Sequence, residues 1–299
     1  LSLANYSSTP IARSFTNSNS IYFKILMAKK ALAKHKIETL KDFTEKIEEL
    51  LPLSEDRILW YRGSGSTDYT LAPSLHRHPS ITNNEELLEL EGKIIDRFNQ
   101  RSVPYVSTNF IKEWEILFYI QHFGIPSRLL DWTENPFVAL YFALTSAVTK
   151  RVKGETVYAT DVNVWVLDPV LWNRAVLSDN TYTGGILSLE SKHLTAYEPR
   201  TSFELMKNDP VCMFGTYNSA RIVAQRGVFS VFGKNRKPME TVAIEGGFNP
   251  NTLQCFYIEI KDIEPLLTSL ISIGITDSVI FPDLSGLATE LKRFFKFRV

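Results

Sequence analysis

Apolar residues recur along the first half of the chain at spacings of three and four, and along the second half in short continuous or alternating runs. The first stripe, Leu40, Phe43, Ile47 and Leu50, predicts a helix capped by Thr39 and stopped by Pro52. Arg57–Gly63 then predicts a short strand ending in the turn segment GSGSTD. A second stripe, Leu87, Leu90, Ile94 and Phe98, predicts a helix over 84–98, and a third helix is expected over 110–122. Asn135 followed by Pro136 reads as the cap and first position of the next helix. Ala139, Ala143 and Ala147 recur there at spacings of four, a small-residue stripe that lets a sheet approach closely.

Strand-like runs dominate afterwards: 163–168, 211–215, 221–233 and 255–260. A polar stretch, 173–209, reads as loops and irregular helix. A helix over 265–273 ends at Gly274, the segment SVIFPD reads as a last short strand, and Asp283 caps a final helix striped by Leu284, Leu287, Leu291 and Phe294. Helices come first and strands later, without βαβ alternation or repeats. The expected class is therefore α+β, with a mixed or antiparallel central sheet from the C-terminal half and a helical N-terminal half packed on it. Residues 1–34, rich in Ser, Thr and Asn, read as a flexible N-terminal extension, and 35–299 as a single domain.

Composition narrows the function classes. Lys+Arg and Asp+Glu are equal at 33 each, which argues against a dedicated duplex-DNA binder. No apolar run approaches the ~20 residues that span a bilayer, so no membrane partner is expected. The two cysteines, Cys212 and Cys255, sit in apolar surroundings and read as buried thiols of a reducing, cytoplasmic compartment. No metal-ligand spacing is present, and neither G-x-G-x-x-G nor G-x-x-x-x-G-K-[ST] occurs.

Chemistry concentrates in QHFGIPSRLLDWTEN, where Gln121, His122, Arg128, Asp131, Thr133 and Asn135 fall between two apolar helical patterns. A buried polar group without a partner costs about 1–3 kcal/mol, so these groups either satisfy one another or face a site. Arg62, between Tyr61 and Gly63 at a strand end, offers a planar fork suited to phosphate or carboxylate, or to an internal ion pair. His122 closes the third helix, whose C-terminus favours the protonated ring, with Asp131 near enough to pair and Glu115 about two turns back. Gln225 and Gly227 interrupt an apolar run, as at a bulge or a pocket wall.

These segments resemble the FRG domain family: YRG at 61–63, QHFGIPSRLLDWT at 121–133 with the following ALYFA, AQRGVF at 224–229 and IFPDLSGLA at 280–288. The resemblance runs from about residue 40 to 299 and implies a microbial cytoplasmic protein. A more distant similarity is to the ADP-ribosyltransferase fold, in which an early-strand arginine contacts NAD, a Ser/Thr-bearing strand and an ALYFA-like helix follow, and a later strand carries a Gln- or Glu-x-Glu pair. It implies NAD as substrate, with Arg62 and Arg128 on the pyrophosphate. Tyr61, Gly63, Trp132, Thr133 and Gln225 would complete the ligand site, and Tyr61 or Trp132 would stack on nicotinamide. The chain departs from that pattern at Gly227, where the second acid would stand. Asp131, Glu115 or Glu204 then has to supply the carboxylate.

Three readings follow. The first is an NAD-consuming ADP-ribosyltransferase-like enzyme, a toxin or phage-defence effector, whose catalytic groups are Asp131, His122 and Glu115. It binds a dinucleotide or other phosphate-bearing ligand and uses a protein or nucleic acid as acceptor. The second is a non-catalytic ligand- or partner-sensing module. The third is an RNA- or phosphodiester-cleaving enzyme with His122 as base.

Overall fold

The computed structural model describes residues 32–106, 112–177, 182, 184–216 and 220–297. In chain order the strands are β1 (Lys34–Lys36), β2 (Trp60–Ser64), β3 (Leu129–Thr133), β4 (Thr149–Val152), β5 (Glu155–Tyr158), β6 (Val162–Leu167), β7 (Val211–Met213), β8 (Gly227–Val231) and β9 (Leu253–Ile258). The α-helices are α1 (Leu40–Leu50), α2 (Asn84–Ser102), α3 (Glu113–His122), α4 (Pro136–Thr145), α5 (Pro169–Val176), α6 (Ala220–Gln225), α7 (Met239–Glu245), α8 (Ile260–Ser272), α9 (Asp277–Ile280) and α10 (Leu284–Phe294).

Seven strands form one mixed sheet in the order β1-β9-β6-β2-β3-β8-β7, and β4 and β5 form a separate hairpin. Among the described strands of this sheet, β1 and β9 pair in parallel and the other neighbours are antiparallel. The α+β class and mixed sheet are as the sequence predicts, with strands drawn from both halves, since the central β2 and β3 precede residue 150. Residues 1–31 of the expected extension lie outside the described residues. Residues 32–34 belong to the fold: Leu32 packs on a core cluster and the Ala33 carbonyl accepts from Cys255.

Side chains alternate across the sheet as a pleat requires. Tyr61, Val164, Val166 and Phe256 join one core with α1, α4 and α8, whereas Trp60, Trp165, Leu167 and Cys255 face another. Over the far half of the first face, α3 replaces α4: Trp114, Leu117 and Phe118 pack with Leu129, Phe229 and Val231. The junction between these helical covers lies over β2 and β3. There the ladder nearly fails, because β2 matches β6 at five residues but β3 only at Tyr61↔Thr133. The sheet is thus two half-sheets, β1-β9-β6-β2 and β3-β8-β7, joined at a single pair.

The alanine stripe does what its spacing predicts. A Cβ on Gly63 would lie 2.0 Å from the Ala139 carbonyl oxygen and 2.5 Å from the Ala143 nitrogen, so α4 rests directly on β2. Gly63→Ala should therefore destabilise the fold by about 1–3 kcal/mol, the usual cost of overpacking. A chemical-denaturation midpoint unchanged by that substitution would contradict the close approach.

Helix starts follow their caps. Thr39 forms a capping box with Asp42, and the side chains of Asn135 and Asp283 accept backbone N–H groups of α4 and α10. Three expectations are corrected. The run 221–233 is not one strand: α6 ends at Gln225, Arg226 turns at φ 46°, and β8 starts at Gly227. SVIFPD is helical at α9, where Asp277 is buried and accepts from Tyr141 and Arg293. Leu284, Leu287, Leu291 and Phe294 point to solvent, because α10 packs through Gly286, whose Cβ would lie 2.0 Å from the Phe281 carbonyl oxygen.

Candidate functional site

The split between β2 and β3 opens into a cleft with two lobes. The inner lobe, about 270 Å³, lies between α3 and α4, and its apolar wall is Tyr61, Phe118, Val138, Phe142, Ile222 and Phe229. The outer lobe, about 610 Å³, adds Ser74, Arg77, Phe123, Gly124 and Asp283. Arg62, Gln121, His122, Asp131 and Arg221 line both lobes and form the seam.

Alternation along β2 starts Arg62 on the Trp60 side of the sheet. Its guanidinium enters the gap between the strands, where Nη1 donates to the Asp131 carbonyl oxygen at 2.5 Å, in place of a missing ladder bond. The Asp131 side chain sits at the cleft floor, enclosed by protein yet open to the solvent of the cleft. Burial pushes its carboxyl above the ordinary value of 3.8, and Arg62, the Gln121 amide and Arg221 partly oppose that rise. Burial likewise lowers Arg62 and Arg221 from the usual arginine value.

The histidine departs from expectation. His122 ends α3, but burial and the nearby Arg221 cation lower its pKa despite the helix C-terminus and the attraction of Asp131. That shift favours the neutral ring, the form able to accept a proton.

The cleft's arginines differ from three others in the fold. Arg128, Arg200 and Arg293 each pair with a carboxylate. Among the described residues, Arg62, Arg77 and Arg221 have no carboxylate within ion-pair distance. Arg221 lies 4.5 Å above the Phe281 ring, and Arg77 is close enough to oppose the charge on Arg62. Arg62 and Arg221 feel the charge of Asp131, and Arg221 that of Asp283, without an ion-pair contact, an arrangement suited to a ligand carrying more than one negative charge.

Most of the sequence-selected residues meet here. Arg62, Tyr61, Gly63, His122, Asp131, Trp132, Thr133 and Gln225 all line the inner lobe. Two of them are held in structural bonds as well. The Thr133 hydroxyl donates to the Gln225 carbonyl and accepts from Asn135, and the Gln225 amide donates to the Ile280 carbonyl, tying α6 to β3 and α9. Trp132 is not placed to stack on a ligand, because its indole is in the core and donates to the Ser230 hydroxyl.

Three residues are elsewhere. Arg128 does not reach the cleft. It is fully buried, donating to Glu91 at 2.8 Å and to the carbonyls of Phe232 and Tyr197. Alternation decides this: Arg128 and Asp131 are an odd number apart, so β3 sends them to opposite sides. Glu115 accepts from the Lys112 N–H at the start of α3 and lines neither lobe. Glu204 lines a separate cleft with Glu91 and Arg200.

Sequence reasoning missed Arg77 and Arg221. Arg77 follows no motif, and Arg221 was hidden in the run read as a strand. No group of His, Cys, Asp or Glu among the described residues is suited to hold a metal ion, and no helix among them is long and apolar enough to cross a membrane.

A family model for the FRG domain matches residues 57–151. Over that segment the chain matches the FRG domain. The match takes in β2, α3, β3 and α4, and with them Arg62, Gln121, His122, Asp131 and Thr133. The AQRGVF and IFPDLSGLA segments lie beyond it, so the FRG domain supplies one wall and the floor of the cleft while α6 and β8 close it. No curated protein and no solved structure matches the chain.

Proposed function

We propose that the cleft binds NAD and breaks its nicotinamide–ribose bond, the chemistry of ADP-ribosyltransferases and NAD glycohydrolases, in a microbial toxin or phage-defence effector. One observation carries this reading: an inner lobe with an aromatic wall meets an outer lobe at a seam that holds a carboxylate and two guanidiniums without an ion-pair partner. Nicotinamide fits the inner lobe beside Tyr61 and Phe142. The pyrophosphate fits Arg62 and Arg221 at the seam.

The ribose then lies by Asp131. Its C1′–N bond breaks with the electron pair going to nicotinamide, which leaves neutral and needs no general acid. The oxocarbenium-like ribose is stabilised by the Asp131 carboxylate. Water or an acceptor group attacks C1′ and loses its proton to the neutral His122 imidazole.

Gly227 lines the inner lobe where the related fold would carry its second acid, and a Cβ there would meet only Ile222, at 3.4 Å. The absent acid is therefore not a matter of space, and the charge falls to Asp131.

NAD, but not ATP or a simple phosphate ester, should raise the melting temperature. At 100 times its dissociation constant a ligand adds about 2.7 kcal/mol, well within a thermal-shift measurement. No shift at millimolar NAD, and no nicotinamide released with cell lysate as acceptor source, would overturn the reading and leave a binding module in its place.

A further inference from the structure

The Asp131 carboxylate is held by a chain of hydrogen bonds that reaches the buried start of β3. The Leu129 N–H donates to Ser127 Oγ at 3.0 Å, and that hydroxyl donates to Gln121 Oε1 at 2.8 Å. Gln121 Nε2 then donates to Asp131 Oδ2 at 2.5 Å. Ser127 is fully buried, and its own N–H donates to the Ser74 hydroxyl at 3.2 Å.

The chain runs in one direction. Gln121 Oε1 is the acceptor for the Ser127 hydroxyl proton, and a flipped amide would leave that proton without an acceptor and set its oxygen against the Asp131 carboxylate. That fixes the Gln121 amide with its oxygen toward Ser127 and its NH₂ toward Asp131. An amide free to flip would present an oxygen to the carboxylate and favour the protonated acid. Locked this way, it presents only a donor and favours the ionised acid.

We propose that Gln121, oriented by Ser127, is a positioning residue that fixes the rotamer of Asp131 and keeps it ionised at neutral pH. The other charged or titratable groups lining the lobes that hold the carboxylate are Tyr61 and Arg62 from β2, Arg77 from the turn after it, His122 from α3, Arg221 from α6 and Asp283 at the start of α10. Three are cations without a carboxylate partner, but none of them dictates which way the Gln121 amide points. The inference deepens the proposed reaction, which needs a charged Asp131, and its test stands apart from that reaction.

The test is a carbon-13 NMR titration of the Asp131 carboxyl in the full chain, with Gln121→Leu and Ser127→Ala alongside. Gln121→Leu removes the donor and should move the carboxyl titration up by about one to two pH units, the worth of one hydrogen bond to a charged group. Ser127→Ala leaves the donor but frees the amide to flip, so its shift should be in the same direction and smaller. If nicotinamide release is present, the loss in Gln121→Leu should be recovered as pH is raised. A folded Gln121→Leu protein whose Asp131 titrates as in the parent chain overturns the proposal, whether or not NAD is a substrate. Activity lost equally at every pH, with the titration unmoved, assigns Gln121 to another role. Should Ser127→Ala fail to fold, the Gln121→Leu titration alone decides.

Discussion

Arg128→Ala should lower the stability of the fold by about 3–5 kcal/mol, the cost of stranding a buried charge. Arg128 and Glu91 are both shielded from solvent, and one Glu91 oxygen already lacks a partner. The guanidinium also satisfies the Phe232 and Tyr197 carbonyls, which join the end of β8 to the segment before β7. Its removal leaves a carboxylate and two carbonyls in a dry interior, so the loss exceeds that of any one bond. Arg128→Met with Glu91→Leu should recover most of the stability, because no charge then remains to be solvated. Urea-midpoint shifts for the two singles and the double give the coupling energy. A single-site loss below about 1 kcal/mol would mean that the pair is solvated after all.

Asp131→Asn should do the opposite: little or no loss of stability and a large loss of nicotinamide release. The activity loss expected is roughly 10²–10³-fold, the scale for removing one preorganised electrostatic group. The stability sign follows from the raised acid. A carboxyl whose folded-state pKa lies above its unfolded value makes the ionised fold less stable at neutral pH, and the penalty is relieved as pH falls through the folded value. The amide carries no charge, so the melting temperature at pH 7 should hold or rise. Activity, which needs the ionised form, should decline as pH falls through the raised value, placing its acid limb above 3.8. An Asn variant that unfolds, or one that releases nicotinamide at the parent rate, would remove Asp131 from the centre of the mechanism.

Local signals in the sequence were faithful where a backbone rule is strict. Thr39, Asn135 and Asp283 cap the helices their positions predict, and Gly63 meets the alanine stripe across a close contact. The polar motif around Asp131 was legible as a candidate site because its groups are too many to be buried without partners. What the motif concealed is the division of labour within it. Arg128 and Asp131 are three residues apart and serve a buried ion pair and a cleft, respectively, and only the sheet register separates them. Arg221 was unreadable because a six-residue helix followed by a left-handed Arg226 carries the same apolar pattern as a strand. The α10 stripe was misleading in the other direction, since amphipathic spacing says that one face differs from the other and not which face is covered.

The single pair joining β2 to β3 gives the cleft a mechanical character. A sheet normally resists shear through its whole ladder, but here the two half-sheets are riveted at Tyr61 and Thr133 and laced by one arginine bond. A ligand that spans Arg62 and Asp131 would act as a second rivet, so occupancy of the cleft and rigidity of the sheet rise together. Amide exchange along β2 and β3 then becomes a gauge of occupancy, readable before the chemistry is known.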